Sequence, residues 1–157
     1  MNTVRTDTAS AGAQSRPIGI FGGTFDPIHL GHLRTGFELL QLLSLGEMRW
    51  IPVGDPGHRA PPLAPAELRL AMLRAAVADQ PGFVVDDREM RRRGASFTVD
   101  TLEELRAELP GRPLCLVLGM DAFLGFTGWR RWQDILALRS EEDTSELQSR
   151  VDISYAV

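Results

Sequence analysis

Apolar positions in this chain come in short strand-length runs, separated by stretches with helical spacing. Ile18-Gly19-Ile20-Phe21 is one such run. After it, Leu30, Leu33, Phe37 and Leu40 mark one face of a helix from about Leu30 to Leu45 that stops near Gly46. Arg49 to Val53 reads as a second strand. A proline-rich loop follows from Pro56 to Pro65, with Pro65 suited to the first position of a helix that carries Leu70, Leu73 and Val77. Phe83-Val84-Val85 is a third strand. Thr101 to Leu109 is a third helix, with Thr101 and Glu104 at capping-box spacing, and Leu114 to Leu118 is a fourth strand. This alternation predicts an α/β fold: a Rossmann-like, doubly wound parallel sheet with right-handed crossovers and helices on both faces.

Ligands in such sheets sit beyond the carboxyl ends of the strands, and the densest chemistry of the chain falls there. Gly22 to His32 reads GGTFDPIHLGH. Gly22 and Gly23 let the backbone turn sharply and bring its amides close to a ligand. Asp26 and Pro27 fit a helix entry, as an N-cap carboxylate and a proline of fixed φ. His29 and His32 stand at i, i+3, so both imidazoles project from one side of a first helical turn, where the helix also favours anions. A Gly-Gly pair alone can be only a tight turn, and a lone histidine only a cap. Their convergence in one strand-to-helix junction points to a polyphosphate, whose building charge two imidazoles can neutralise.

Composition narrows the setting. The chain of 157 residues is 43% apolar, enough for the core of one domain, and its net charge of −4 argues against general nucleic-acid binding. No run approaches a membrane span. Met1 to Arg16 is polar, lacks the apolar stretch of a secretory signal and reads as a flexible lead-in. The single cysteine, Cys115, sits in an apolar run and is expected to be buried, which fits a reducing cytoplasm. The domain is expected over 17–138. Residues 139–157 break the pattern, and Arg139 to Ser149 looks like a translated sequencing-library adapter, an artefact joined to a truncated gene; an ordinary polar tail is the other reading.

GGTFDPIHLGH resembles the signature of the HxGH-type nucleotidyltransferases, and specifically of the bacterial nicotinate-nucleotide adenylyltransferases. Three later segments extend the resemblance over about Pro17 to Leu138. Ile51-Pro52-Val53 with Gly57-His58-Arg59 is similar to the family's second phosphate-binding segment, although glycine and arginine replace the usual proline and lysine. Gly94 to Leu102 looks like its substrate loop. Gly119-Met120-Asp121, with Trp129 and Trp132 beyond, is similar to its nucleotide and pyridine region. Family members continue through further strands and an ISSTxIR-like segment that nothing here matches, so the resemblance implies a domain incomplete at its C-terminus.

The resemblance implies adenylyl transfer in NAD synthesis: the phosphate of nicotinate mononucleotide attacks the α-phosphorus of ATP, giving deamido-NAD and pyrophosphate. That phosphate is already ionised, so no general base is needed, and catalysis rests on positioning and charge stabilisation. Mg²⁺ is expected with ATP, bridging its phosphates and keeping most of its waters, without a protein metal cage. The implied roles are a catalytic set of His29, His32 and Arg59, with ATP binding by Gly22, Gly23, Thr24, Phe25, His29, His32, Gly119 and Asp121. Thr98 and Trp129 are implied for the pyridine nucleotide, Trp129 by stacking. Solvent exposure for Arg59, a core place for Trp129 and helix capping for Asp121 are the competing explanations. Arg91-Arg92-Arg93 reads as a solvated run. Other HxGH transferases, using nicotinamide mononucleotide, phosphopantetheine or a cytidylyl substrate, form the neighbouring alternative. A nucleotide-binding fragment made inactive by truncation is a further one.

Overall fold

The computed structural model describes residues 16–55 and 60–138, with the backbone of 155–156. The expectations for the lead-in and the adapter-like stretch, and those for Gly57 and Arg59, lie outside the described residues.

The strands are β1 (Ile18–Gly23), β2 (Glu47–Pro52), β3 (Phe83–Val85), β4 (Leu114–Gly119) and β5 (Tyr155–Ala156). They form one sheet in the order β3-β2-β1-β4-β5, with every neighbouring pair parallel. The chain moves outward from β1 through β2 to β3 and then returns to the other side of β1 with β4. That reversal is the switch point at which doubly wound sheets open a ligand crevice. β5 sits within the stretch where the sequence pattern predicts no strand, and pairs with Leu118 and Gly119.

Strand periodicity divides the core between the two faces of the sheet. Ile18 and Ile20 of β1, Ile51 of β2 and Leu118 of β4 point to one face, with Val99, Leu102, Leu105, Phe126 and Ile135. These come from α4 (Thr98–Glu108), the Phe126–Gly128 turn and α6 (Trp132–Ala137). Met48, Trp50, Cys115 and Val117 point to the other face. There they meet Leu39 of α1 (Leu30–Leu42) and Leu73 and Val77 of α2 (Ala66–Val77). Two short helices, α3 (Arg88–Arg91) and α5 (Met120–Leu124), follow β3 and β4. No helix among the described residues is long and apolar enough to cross a membrane.

Three helix boundaries depart from the sequence pattern. α1 ends at Leu42 rather than Leu45, because Ser44 takes a left-handed φ of 50° and turns Leu45 back into the core. Pro65 is the N-cap of α2 rather than its first residue, so the helix starts at Ala66, one place later than predicted. α4 starts at Thr98, not Thr101, so Thr101 and Glu104 are no capping box. Thr101 is instead buried, donating to Glu89 Oε1 at 2.7 Å and accepting from Arg92 Nη1 at 3.2 Å. Arg92 also pairs with Glu104 at 2.7 Å, so the middle of the Arg91–Arg93 run is tied to α4 rather than solvated. Nearby, burial alone would raise the pKa of Asp86, but the hydrogen bonds and charge of Arg88 hold it below the usual carboxylate range. That ion pair, at 2.7 Å, fastens α3 to the end of β3.

Candidate functional site

β1 and β4 run side by side, with Phe21 opposite Val117, so Gly22 and Gly23 end beside Gly119 at the carboxyl edge of the sheet. Gly22 and Gly23 are still strand residues, in register with Ile51 and Pro52. The left-handed step falls two residues later, at Phe25, with φ of 47°. The sharp turn expected at the glycines is therefore made after them. A side chain at Gly23 would strike the Phe25 ring at 3.0 Å, whereas one at Gly22 would meet only the Ile51 carbonyl, at 3.9 Å. No internal crowding calls for glycine at Gly22, so its bare backbone leaves room for something to lie on it. Phe25 is buried, edge-on to the His32 ring at 5.2 Å, so its side chain is a floor for the site rather than a ligand surface.

The two histidines come together as the i, i+3 spacing predicts, by means of a cap. His29 is the N-cap of α1 and His32 its third residue. The His29 backbone N–H donates to His32 Nδ1 at 3.3 Å, and the His32 N–H donates to His29 Nδ1 at 3.4 Å. The rings stack with centroids 3.7 Å apart. This reciprocal box uses up both Nδ1 atoms as acceptors, so each neutral ring carries its proton on Nε2. Two Nε2–H donors are thereby left at the mouth of a helix N-terminus. Gly31 between them matters too: a Cβ there would lie 3.0 Å from the His29 ring. Burial, and then the charge of neighbouring His29, lower the pKa of His32 below its ordinary value.

Asp26 and Pro27 do not enter the helix, since His29 takes the cap. The Asp26 carboxylate instead accepts the amides of Leu63 at 2.6 Å and Ala64 at 3.0 Å. It thereby ties the loop before α2 to the turn after β1. A second tie was not visible in the sequence. Arg69 of α2 is buried, and its guanidinium donates to the carbonyls of Thr24 (2.7 Å), Val53 (2.9 Å), Ala64 (3.3 Å) and Gly54 (3.4 Å). Burial pushes its pKa down, with Asp26 and Glu67 opposing. The helical period alone signals that Arg69 shares a face with Leu73 and Val77, an unusual place for a charge.

The other residues singled out in the sequence come from scattered elements. Thr98 is the half-buried first residue of α4. The loop before it is fastened by the Ser96 amide donating to Asp55 O at 3.3 Å, beside a bridge between Asp55 and Ala95. Trp129 is half-buried, its ring tilted against Phe126 at 5.5 Å, so it has both a packing partner and an open side. The Arg130 guanidinium lies 4.6 Å from the centre of the Phe97 ring, which draws the segments carrying Thr98 and Trp129 together. Gly119 is the N-cap of α5, and Asp121 makes no capping bond, which removes the cap explanation for that carboxylate. Asp121 Oδ1 would be 3.1 Å from a Cβ on Gly119, so the carboxylate lies over the end of β4. Among the described residues no group of three His, Cys, Asp or Glu is placed to hold a metal ion. The donors gathered at the turn are amides and imidazoles, which suit phosphate oxygens rather than Mg²⁺.

A family model described as cytidylyltransferase-like matches residues 20–151. A protein of Aeromonas hydrophila named probable nicotinate-nucleotide adenylyltransferase is 56% identical over 120 residues, spanning 76% of this chain and 56% of that protein. One of the same name from Halorhodospira halophila is 55% identical over 120 residues, or 76% of this chain and 55% of that protein. The chain thus spans about half the length of the curated relatives it matches. A solved structure of Plasmodium falciparum nicotinic acid mononucleotide adenylyltransferase, complexed with NaAD, superposes with a TM-score of 0.68. It is 19% identical, and the match covers 76% of this chain and 60% of that one. At that identity the likeness speaks for the fold.

Proposed function

This chain belongs to the cytidylyltransferase-like family, and on that footing we propose that its chemistry is adenylyl transfer from ATP to nicotinate mononucleotide, yielding deamido-NAD and pyrophosphate. The observation that carries the reading is the reciprocal cap of His29 and His32, which leaves two Nε2–H donors beside a bare glycine strand end. The names of the related proteins supply the substrates.

In this reading the triphosphate lies along Gly22, Gly23 and Thr24, with its outer oxygens on the two imidazoles. As the mononucleotide phosphate attacks the α-phosphorus, charge builds on the departing pyrophosphate, where the Nε2–H groups and the N-terminus of α1 stabilise it. Arg59, which follows β2 in the sequence, adds charge. Gly119 and Asp121 face the ribose of ATP, while Thr98 and Trp129 hold the pyridine ring. Mg²⁺ would come with ATP rather than be held by a group of described residues, and would supply charge neutralisation. The cytoplasm, where ATP and a lone reduced cysteine both belong, is the proposed compartment.

The test is pyrophosphate release from ATP with nicotinate mononucleotide, nicotinamide mononucleotide or phosphopantetheine, alongside equilibrium binding of ATP. We expect kcat/KM for nicotinate mononucleotide to exceed that of the others by about tenfold or more, the discrimination that a well-placed polar contact provides. Turnover with another acceptor alone would replace the substrate assignment. ATP binding without turnover would mark an inactive nucleotide-binding fragment, and no ATP binding at all would end the reading.

A further inference from the structure

Arg69 is 1% exposed, yet no hydrogen bond described for it goes to a carboxylate. Burying a guanidinium is costly, and an apolar residue of similar volume would pack this face of α2 with less desolvation. What an apolar residue could not do is reach the carbonyls of three chain segments at once. Thr24 belongs to the turn after β1, Val53 and Gly54 to the loop after β2, and Ala64 to the loop before α2. The planar fork of arginine suits that task, and the single point charge of lysine does not. Asp26 completes the circuit from the other side by accepting the Leu63 and Ala64 amides. The β1–β2 ladder continues into the same place through Val53 N–H donating to Gly23 O at 2.9 Å.

We infer that Arg69 is a positioning residue for the phosphate cradle: from beneath the site it locks the Gly22–Thr24 strand end against the loops that follow β2 and precede α2. It touches no substrate and acts through the backbone it holds. The inference rests on reading that strand end as the triphosphate site, so its test needs a readout that does not depend on ligand.

The experiment compares the wild-type chain with R69K and R69M, by amide hydrogen exchange and by binding of ATP. Exchange at Val53, Leu63 and Ala64 is expected to speed up at least tenfold in both variants. Exchange at Met48, whose amide bonds to Gly82 O at 2.7 Å on the far side of β2, is expected to hold. The dissociation constant for ATP should rise about tenfold in both, because lysine keeps the charge but not the fork. Unchanged exchange at the three amides in a folded variant overturns the assignment. Wild-type ATP affinity in R69K despite opened amides also overturns it, since charge rather than geometry would then be in control. If both variants unfold, Arg69 serves overall stability and the assignment falls. A wild-type chain that ignores ATP defeats the functional reading, while the exchange data still decide what Arg69 holds.

Discussion

The junction from β1 to α1 carries its chemistry in one contiguous run, from Gly22 to His32, with its two histidines capping each other. The segments carrying Thr98 and Trp129 have no such run. Thr98 opens α4, Trp129 leans on Phe126 after β4, and a single Arg130–Phe97 contact draws their segments together. The end proposed for phosphate is thus built from backbone and rigid local hydrogen bonds, as suits a ligand whose charge is the same in every nucleotide. The other end depends on side chains assembled from a distance, as suits the choice between similar rings. On the proposed reading, specificity would reside where the structure is least local.

The sharpest way to break that comparison is to strip each end in turn. H29A combined with H32A removes both Nε2–H donors and the reciprocal cap. ATP affinity should fall about 100-fold, the worth of two lost hydrogen bonds to a charged group at about 1.5 kcal/mol each. Losing the cap should cost about 1 kcal/mol of stability, read from a denaturant melt. In W129A the affinity for nicotinate mononucleotide should fall about fivefold, the value of one stacking contact, with ATP affinity held. If W129A weakens ATP as much as the histidine pair does, the two ends are not separate.

Legibility in the sequence followed the same division. The first four strands were legible as short apolar runs because a parallel sheet covered on both faces needs apolar side chains on each, Ile18 and Ile20 toward one face and Met48 and Trp50 toward the other. The pairing of the histidines was legible because their i, i+3 spacing sets both in the same helical turn. The part played by Asp26 was not: its partners, Leu63 and Ala64, are brought to it only by tertiary folding. A local pattern made it a helix cap, and the fold gave that place to His29. Arg69 was missed for the same reason, since its four carbonyl partners come from segments with no shared period. Thr101 was misread as a cap because capping-box spacing says nothing about burial, and Glu89 claims its hydroxyl.

Gly54 is where the two ends meet. Its carbonyl accepts from Arg69 at 3.4 Å, and a Cβ placed on it would stand 2.5 Å from the Glu89 carbonyl of α3. The three nearest atoms all belong to the backbone of α3, so no side chain can swing away to make room. G54A should therefore cost about 1–3 kcal/mol, the usual penalty for overpacking, measured by urea unfolding. Both ligands should bind more weakly, because α3 leads into the Gly94–Phe97 loop on one side and Arg69 into the turn on the other. Weakening of ATP alone would show that the pyridine end keeps its own support and would sharpen the division. A neutral G54A would mean that α3 can withdraw from β2 without consequence.

The smallest effect expected is electrostatic, and it isolates the phosphate end. Burial and then the neighbouring His29 depress the pKa of His32 below the ordinary histidine value of 6.5. A proton on Nδ1 would also abolish its acceptance of the His29 amide. The folded chain therefore resists protonation that the unfolded chain accepts. This contribution to stability is complete above 6.5 and declines as pH falls below it, until the folded ring also takes a proton. ATP acts with the opposite sign, because a triphosphate beside the ring favours the imidazolium. The Cε1 proton of His32 should thus titrate below the ordinary value in the free chain and move upward when ATP is added, while a chain carrying H32A loses the signal. A titration that ignores ATP would place the triphosphate away from this ring, and the backbone strand end would then have to bind it without imidazole help.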